Sequence, residues 1–132
     1  MLEILTALAV AAVLAGLAVP AWQDLLRKQR RVDAMQGLLR IQAAQMRHFE
    51  THGRYARRLS QLGWPADRVP SPAGHYLLYL HQDGAPDPSL GYLALAEPRP
   101  GSGQEGDACR RLALDERGPN PALSSRPDCW RR

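Results

Sequence analysis

The sequence predicts an α+β fold. One long N-terminal helix, membrane-spanning in its first half and amphipathic in its second, packs on a small antiparallel sheet of about three to four strands, with a C-terminal disulfide loop. Three observations predict it. From Ile4 to Gln23 no side chain is charged. Beyond that run, apolar residues recur at helical spacing as far as Phe49. The remaining residues alternate strand-like segments with Pro and Gly punctuation, and the chain's two cysteines stand near its end. The whole is 132 residues, enough for one small domain and an anchor. The division falls into 1–22, the apolar helix half, and 23–132, a globular part that includes the amphipathic half 23–52.

The apolar run is about 20 residues long and spans about 30 Å as a helix, the thickness of a bilayer core. It is long for a signal-peptide apolar region. Ala7, Ala9, Ala11, Ala12, Ala15, Gly16 and Ala18 give it small faces that let helices approach closely in lipid. Glu3 places a carboxylate at its edge, where the positive end of the helix favours it. Pro20 removes a backbone donor, so a kink or local break is expected, with Gly16 to Pro20 a weak stretch. Trp22 suits the membrane interface.

In the second half Val32, Met35, Leu39, Met46 and Phe49, with Leu38 and Ala43 beside them, read as the buried stripe. Arg27, Lys28, Arg30, Arg31, Asp33, Arg40, Arg47 and Glu50 read as the solvent face. Gly53 fits a helix C-cap. Residues Arg57 to Gly74, rich in proline, read as a connecting loop anchored by Leu59, Leu62 and Trp64. Strands are expected at His75–His81, Gly91–Ala96 and Cys109–Leu114, with turns at Asp83-Gly84-Ala85-Pro86, Gly101–Gly106 and Asp115–Gly118.

The charge is +4, from 17 basic and 13 acidic residues, and Lys28 is the single lysine. That balance permits contact with nucleic acid or anionic lipid without requiring it. Cys109 and Cys129 fit no usual zinc spacing. Outside the cytoplasm a disulfide is the default, and a loop of that size stabilises a fold by about 3 kcal/mol. Catalytic and cofactor motifs lack their context. Gly101-x-Gly103-x-x-Gly106 has no helix after it, and Ser124-Ser125 has no nucleophile elbow. His48 and His52 stand four apart on the helix, a spacing that can hold a metal, but no Glu follows His48, so they read as packing or exposed histidines. No catalytic, cofactor or metal site is expected.

The opening Leu2-Glu3-Ile4, the run to Ala18-Val19-Pro20-Ala21-Trp22 and the close in His52-Gly53-Arg54-Tyr55-Ala56 resemble the N-terminal pattern of the type IV pilin family. The C-terminal half, through Gln104-x-x-Asp107-x-Cys109, Leu112-Ala113-Leu114-Asp115 and Asp128-Cys129-Trp130, resembles PilE-like minor pilins, with Arg110 where a small residue is usual. The resemblance implies a structural subunit of a type IV pilus and not an enzyme. It implies Glu3 and Pro20 as assembly residues, and Gly16 joins them through the weak stretch it forms with Pro20. It also implies Cys109 and Cys129 as a disulfide bounding a surface loop, and no cofactor. Its partners would be sister pilins through the N-terminal helix, the inner membrane before assembly, and the pilus machinery. The head would be periplasmic and then part of an extracellular filament, reached from a precursor whose short basic leader is cleaved and whose new N-terminus is methylated. The usual mature start lies slightly upstream of Met1, so the processing site is outside this sequence. Arg27, Lys28, Arg30 and Arg31 directly follow the apolar run, and alone would argue for a cytoplasmic head; the cysteine pair and the resemblance argue outward. Two alternatives are a type II secretion pseudopilin and a DNA-binding pilin for transformation. The second would use Arg110, Arg111, Arg117, Arg126, Arg131 and Arg132 around the cysteine loop, since guanidinium suits phosphate.

Overall fold

The computed structural model describes residues 1–131. A single helix, α1, spans Leu2–His52. It is followed by a 3-10 turn at Leu59–Leu62 and a five-stranded antiparallel sheet: β1 Arg68–Pro70, β2 Tyr76–Leu80, β3 Leu93–Pro98, β4 Leu112–Asp115 and β5 Gly118–Pro119. The strands lie in chain order, so every connection is between neighbours. Arg132 lies outside the described residues.

Two helix expectations change. α1 runs through Pro20 with no local break. Proline costs one hydrogen bond, to the carbonyl of Gly16, and the helical ladder on both sides holds the remaining turns in place. The buried stripe is also rotated from the one predicted. Ala34, Met35, Leu38, Ile41, Ala44 and Gln45 are buried, whereas Leu39 and Met46 are 47% and 57% exposed. Arg31 and Asp33, assigned to solvent, are buried as well. Apolar residues on this segment form two stripes, and only one faces the sheet.

The sheet has five strands because two short edge strands join the predicted three. β1 falls in the stretch read as a proline-rich loop. Prolines are tolerated there because an edge strand has backbone groups that need no ladder partner. β5 follows the turn at Glu116-Arg117, where Gly118 takes φ 114 to close a tight hairpin with Asp115. β3 extends through Pro98, opposite Tyr76, instead of stopping before it. The third predicted strand begins at Leu112 rather than Cys109.

The register explains the packing. Val69, Leu78, Ala96 and Leu112 are paired across four strands, and Leu80, Ala94 and Leu114 across three. These residues are buried, with the small Ala94 and Ala96 in the central strand. Small residues in the middle and leucines on either side make a trough for α1. Gly37 sits at the closest approach: a Cβ there would lie 2.4 Å from Leu78 Cδ1. Gly37→Ala gains about 1 kcal/mol of helix propensity but forces the buried Leu78 aside, which typically costs about 1–3 kcal/mol. We expect a net loss of stability, read as a lower thermal midpoint than wild type; an unchanged or raised midpoint would show that Leu78 yields freely.

Candidate interaction surfaces and the clamp that holds them

Residues 2–25 of α1 are all exposed. The most apolar 18-residue window has a mean hydropathy of 2.3, and none of it is buried against the rest of the chain. Glu3, Gly16 and Pro20 all lie on this free half, and no side chain approaches Gly16. A helix this apolar needs lipid or other helices around it. From Trp22 the exposed apolar surface continues through Leu25, Leu39 and Met46, with half-buried Val32 and exposed Ala43 between. This line of residues, at spacings of three, four and seven, is the second stripe. It faces away from the sheet.

Two buried charges fix how α1 sits. Arg31 donates two hydrogen bonds to Asp107, Nε to Oδ2 at 2.7 Å and Nη2 to Oδ1 at 2.5 Å. Burial alone would raise the Asp107 carboxyl. The Arg31 guanidinium and the N–H groups of Cys109 and Ala108 outweigh it and hold the group below the usual range. The hydrogen bond to Asp107 likewise pushes Arg31 upward. Asp33 reaches the opposite way: its carboxylate accepts from Ser71 Oγ, Ala73 N at 2.7 Å and His75 N at 3.1 Å, gathering the β1–β2 turn. Gln104, fully buried, donates to the Arg27 carbonyl and to Tyr76 Oη. The Gln104 and Asp107 of the C-terminal sequence motif therefore tie the loop before β4 to the helix.

The disulfide lies beside this clamp. Cys109 and Cys129 are bonded, with Cα atoms 5.6 Å apart, and both are buried. The predicted arginines around it, Arg132 aside, are exposed, and most are already engaged. Arg111 pairs with Glu97 at 3.3 Å, Arg117 with Glu116 at 3.5 Å and Arg126 with Asp128 at 3.1 Å, while Arg110 donates to the Glu105 carbonyl. Arg131 is exposed with no ion pair among the described residues.

A second basic surface escapes the sequence reading. Arg54, Arg57, Arg58 and Arg68 are exposed and make no ion pair among the described residues. Arg57, Arg58 and Arg68 line a hollow of about 460 Å³ with Tyr79, His81 and Asp67. The Arg68 guanidinium stacks over the Tyr79 ring, 4.1 Å from its centre. The signal is present in the sequence as Gly53-Arg54-Tyr55-Ala56-Arg57-Arg58, where the turn motif masks it.

Residues 20–113 match the family described as "Type IV minor pilin ComP, DNA uptake sequence receptor". The chain belongs to this type IV minor pilin family. It is a pilus subunit of a structural family, and its apolar helix fits membrane anchoring followed by incorporation into a filament. The fold is also similar to that of a type IV pilin from Shewanella oneidensis, at 24% identity and a TM-score of 0.54 over 80% of this chain and 99% of that one. No curated protein matches the chain in sequence.

The clamp gives this minor pilin an acid limit. Because the folded Asp107 titrates below its unfolded value, about 4, its contribution is complete above that value and fades as pH falls through the folded one. Asp107→Asn should cost about 3–5 kcal/mol at neutral pH, since it strands a buried guanidinium, and should flatten the acid limb of the unfolding curve. Circular dichroism melts from about pH 7 down to about pH 2, below both values, would show both effects; equal acid sensitivity in the two proteins would place the acid limit elsewhere.

Proposed function

We propose that this minor pilin is held in the inner membrane with its head on the periplasmic side and is then lifted into a filament by the pilus machinery, where α1 packs against sister subunits. The observation that carries this is the exposed apolar face running from Ile4 to Met46. It is longer than a bilayer needs, so its lower part calls for a protein partner. The disulfide supports a head outside the cytoplasm, where such bonds persist. In lipid the first half is satisfied by acyl chains; in a filament it is satisfied by helices whose small residues allow close approach.

Glu3 then needs a partner when lipid headgroups are left behind. A neighbour's N-terminal amine supplies one, as an ion pair in an apolar surround. Gly16 and Pro20 complete the proposal. The Gly16 carbonyl lacks its usual donor, and Gly16 itself costs about 1 kcal/mol relative to Ala, so this is the turn that extends or melts most readily on the way out of the membrane. Glu3→Ala should leave membrane-fraction levels unchanged and lower filament incorporation. Incorporation equal to wild type would sink the pairing role.

A second role, DNA capture by the head, is favoured by the unpaired arginines at 54–68 and by the family's description as a DNA uptake sequence receptor. Guanidinium groups without carboxylate partners are the ones that gain most from phosphate, and a stacked Arg–Tyr pair offers a ring to a sugar or base. The disulfide-loop set, Arg110, Arg111, Arg117, Arg126 and Arg131, remains the competing contact surface, along with Arg132. Replacing Arg57, Arg58 and Arg68 together by Gln should weaken duplex binding about tenfold or more and lower the salt slope by about 1 per lost phosphate contact. The same substitutions at Arg111, Arg117 and Arg126 should do less. The opposite ranking would move the contact to the disulfide loop, and no effect from either set would remove DNA from the head.

A further inference from the structure

The last two turns of α1 carry two histidines that neither the filament nor the DNA reading uses. His48 and His52 stack with ring centroids 4.0 Å apart and an interplanar angle of 13°. They line a hollow of about 420 Å³ with Arg54, Tyr55, Arg57 and Gln61. His52 is exposed and His48 half-buried, so the pair opens to solvent on one side.

The hydrogen bonds of His52 are informative. Its Nδ1 lies 3.0 Å from the His48 carbonyl and 2.7 Å from Thr51 Oγ1. The Thr51 hydroxyl can donate to the Arg47 and His48 carbonyls, so the tautomer with hydrogen on Nδ1 satisfies every partner. In that tautomer Nε2 has a free lone pair. An imidazole whose far nitrogen donates to a backbone carbonyl, with ring orientation and tautomer fixed by that bond, is the usual arrangement of a metal ligand. The second ring stands parallel to it at the spacing of one helical turn.

We propose that His48 and His52 form a two-imidazole chelate for a borderline transition-metal cation of the copper, nickel or zinc class, with water filling the remaining positions. Imidazole lone pairs lie in the ring plane, so the stacked rings do not yet aim at one ion. With His52 held by its Nδ1 contact, His48 must turn out of the stack to bring its nitrogen roughly 3 Å from His52 Nε2, the separation that ligand bonds of about 2.1 Å require. The position suits a cation in a second way. The carbonyl end of a helix carries partial negative charge, and the unpaired carbonyls of the last turn face the same end. Arg54 and Arg57 line the same hollow and oppose a cation, and salt screens little inside a Debye length of about 8–10 Å, so the two ligand bonds have to outweigh that repulsion. Hard cations are excluded by the donor set, because magnesium and calcium take oxygen ligands.

This departs from the sequence reading of the pair as packing or exposed histidines. What the sequence lacked was the contact of His52 Nδ1 with the His48 carbonyl and the hollow that the two rings line. The site also places a ligand at the tip of α1 farthest from the anchor, next to the Arg54–Arg58 surface, so an occupied site would add positive charge beside any bound phosphate.

The test uses Cu²⁺ alone, the tightest binder of this class, titrated calorimetrically into the tag-free full chain in detergent, with electron paramagnetic resonance of the bound ion. One equivalent should bind, with a spectrum showing coordinated imidazole nitrogen. His52→Ala, at an exposed position that leaves the fold intact by circular dichroism, should weaken binding at least about tenfold. His48→Gln should do the same, and His75→Ala and His81→Ala should leave it unchanged. Absence of binding, affinity unchanged in His52→Ala, or loss that follows His75 or His81 would overturn the proposal.

Discussion

Arg31 and Asp33 stand two residues apart on α1, and each is buried against a different loop. Arg31 takes the loop before β4 through Asp107. Asp33 takes the β1–β2 turn through Ser71, Ala73 and His75. Two such contacts on different sides of one helix fix its rotation about its own axis. Hydrophobic burial alone specifies this less sharply, because α1 has apolar residues on both sides of this segment, although the close approach of Gly37 to Leu78 favours the same face. Burying the wrong stripe would leave two charges without partners, at a cost of several kcal/mol each. The cost of error selects the orientation, and it leaves Leu39 and Met46 outside.

That selection connects the head to the anchor. Once the rotation of α1 is set, the line from Trp22 through Leu25 and Leu39 to Met46 must face away from the sheet. It runs on into the apolar surface of the first half. The same clamp also adjoins the disulfide, since Asp107 stands two residues before Cys109 and both are buried. The cross-link therefore secures the segment whose carboxylate locks the helix, and its entropic contribution is joined to a positional one.

Much of this was legible from residues alone. The uncharged run, the helix end at Gly53, the three inner strands and the cysteine pair are all marked by strong local chemistry. The misplaced features share a cause. Arg31 and Asp33 look like surface residues because their partners, Asp107 and Ser71, are 76 and 38 positions away, and no local pattern encodes that distance. Leu39 and Met46 look like core because periodicity reports an apolar face without saying what covers it. β1 and β5 are too short, and too interrupted by Pro65, Pro70, Pro72 and Pro119, to stand out as strands. Val69 is the one buried side chain of β1. A single apolar residue between an arginine and a proline carries no alternation from which a strand can be read.

The candidate surfaces follow the same division. The arginines of the disulfide loop were conspicuous because they cluster near the cysteines, yet Glu97, Glu116 and Asp128 already lie beside three of them. An ion pair at the surface is weak, but it still has to be given up before a phosphate can replace it. Arg54, Arg57 and Arg58 carry no such partner among the described residues, because the turn after α1 leaves them exposed, and Arg68 is held on the Tyr79 ring instead of a carboxylate. The helix end therefore brings together uncommitted guanidinium groups, a stacked histidine pair and the carbonyls of a last turn. Its distance from the apolar half matters physically. α1 rises about 1.5 Å per residue, so its 51 residues hold that end far from the bilayer. A charged ligand there can be bound without competing with the lipid or helix contacts that the first half requires.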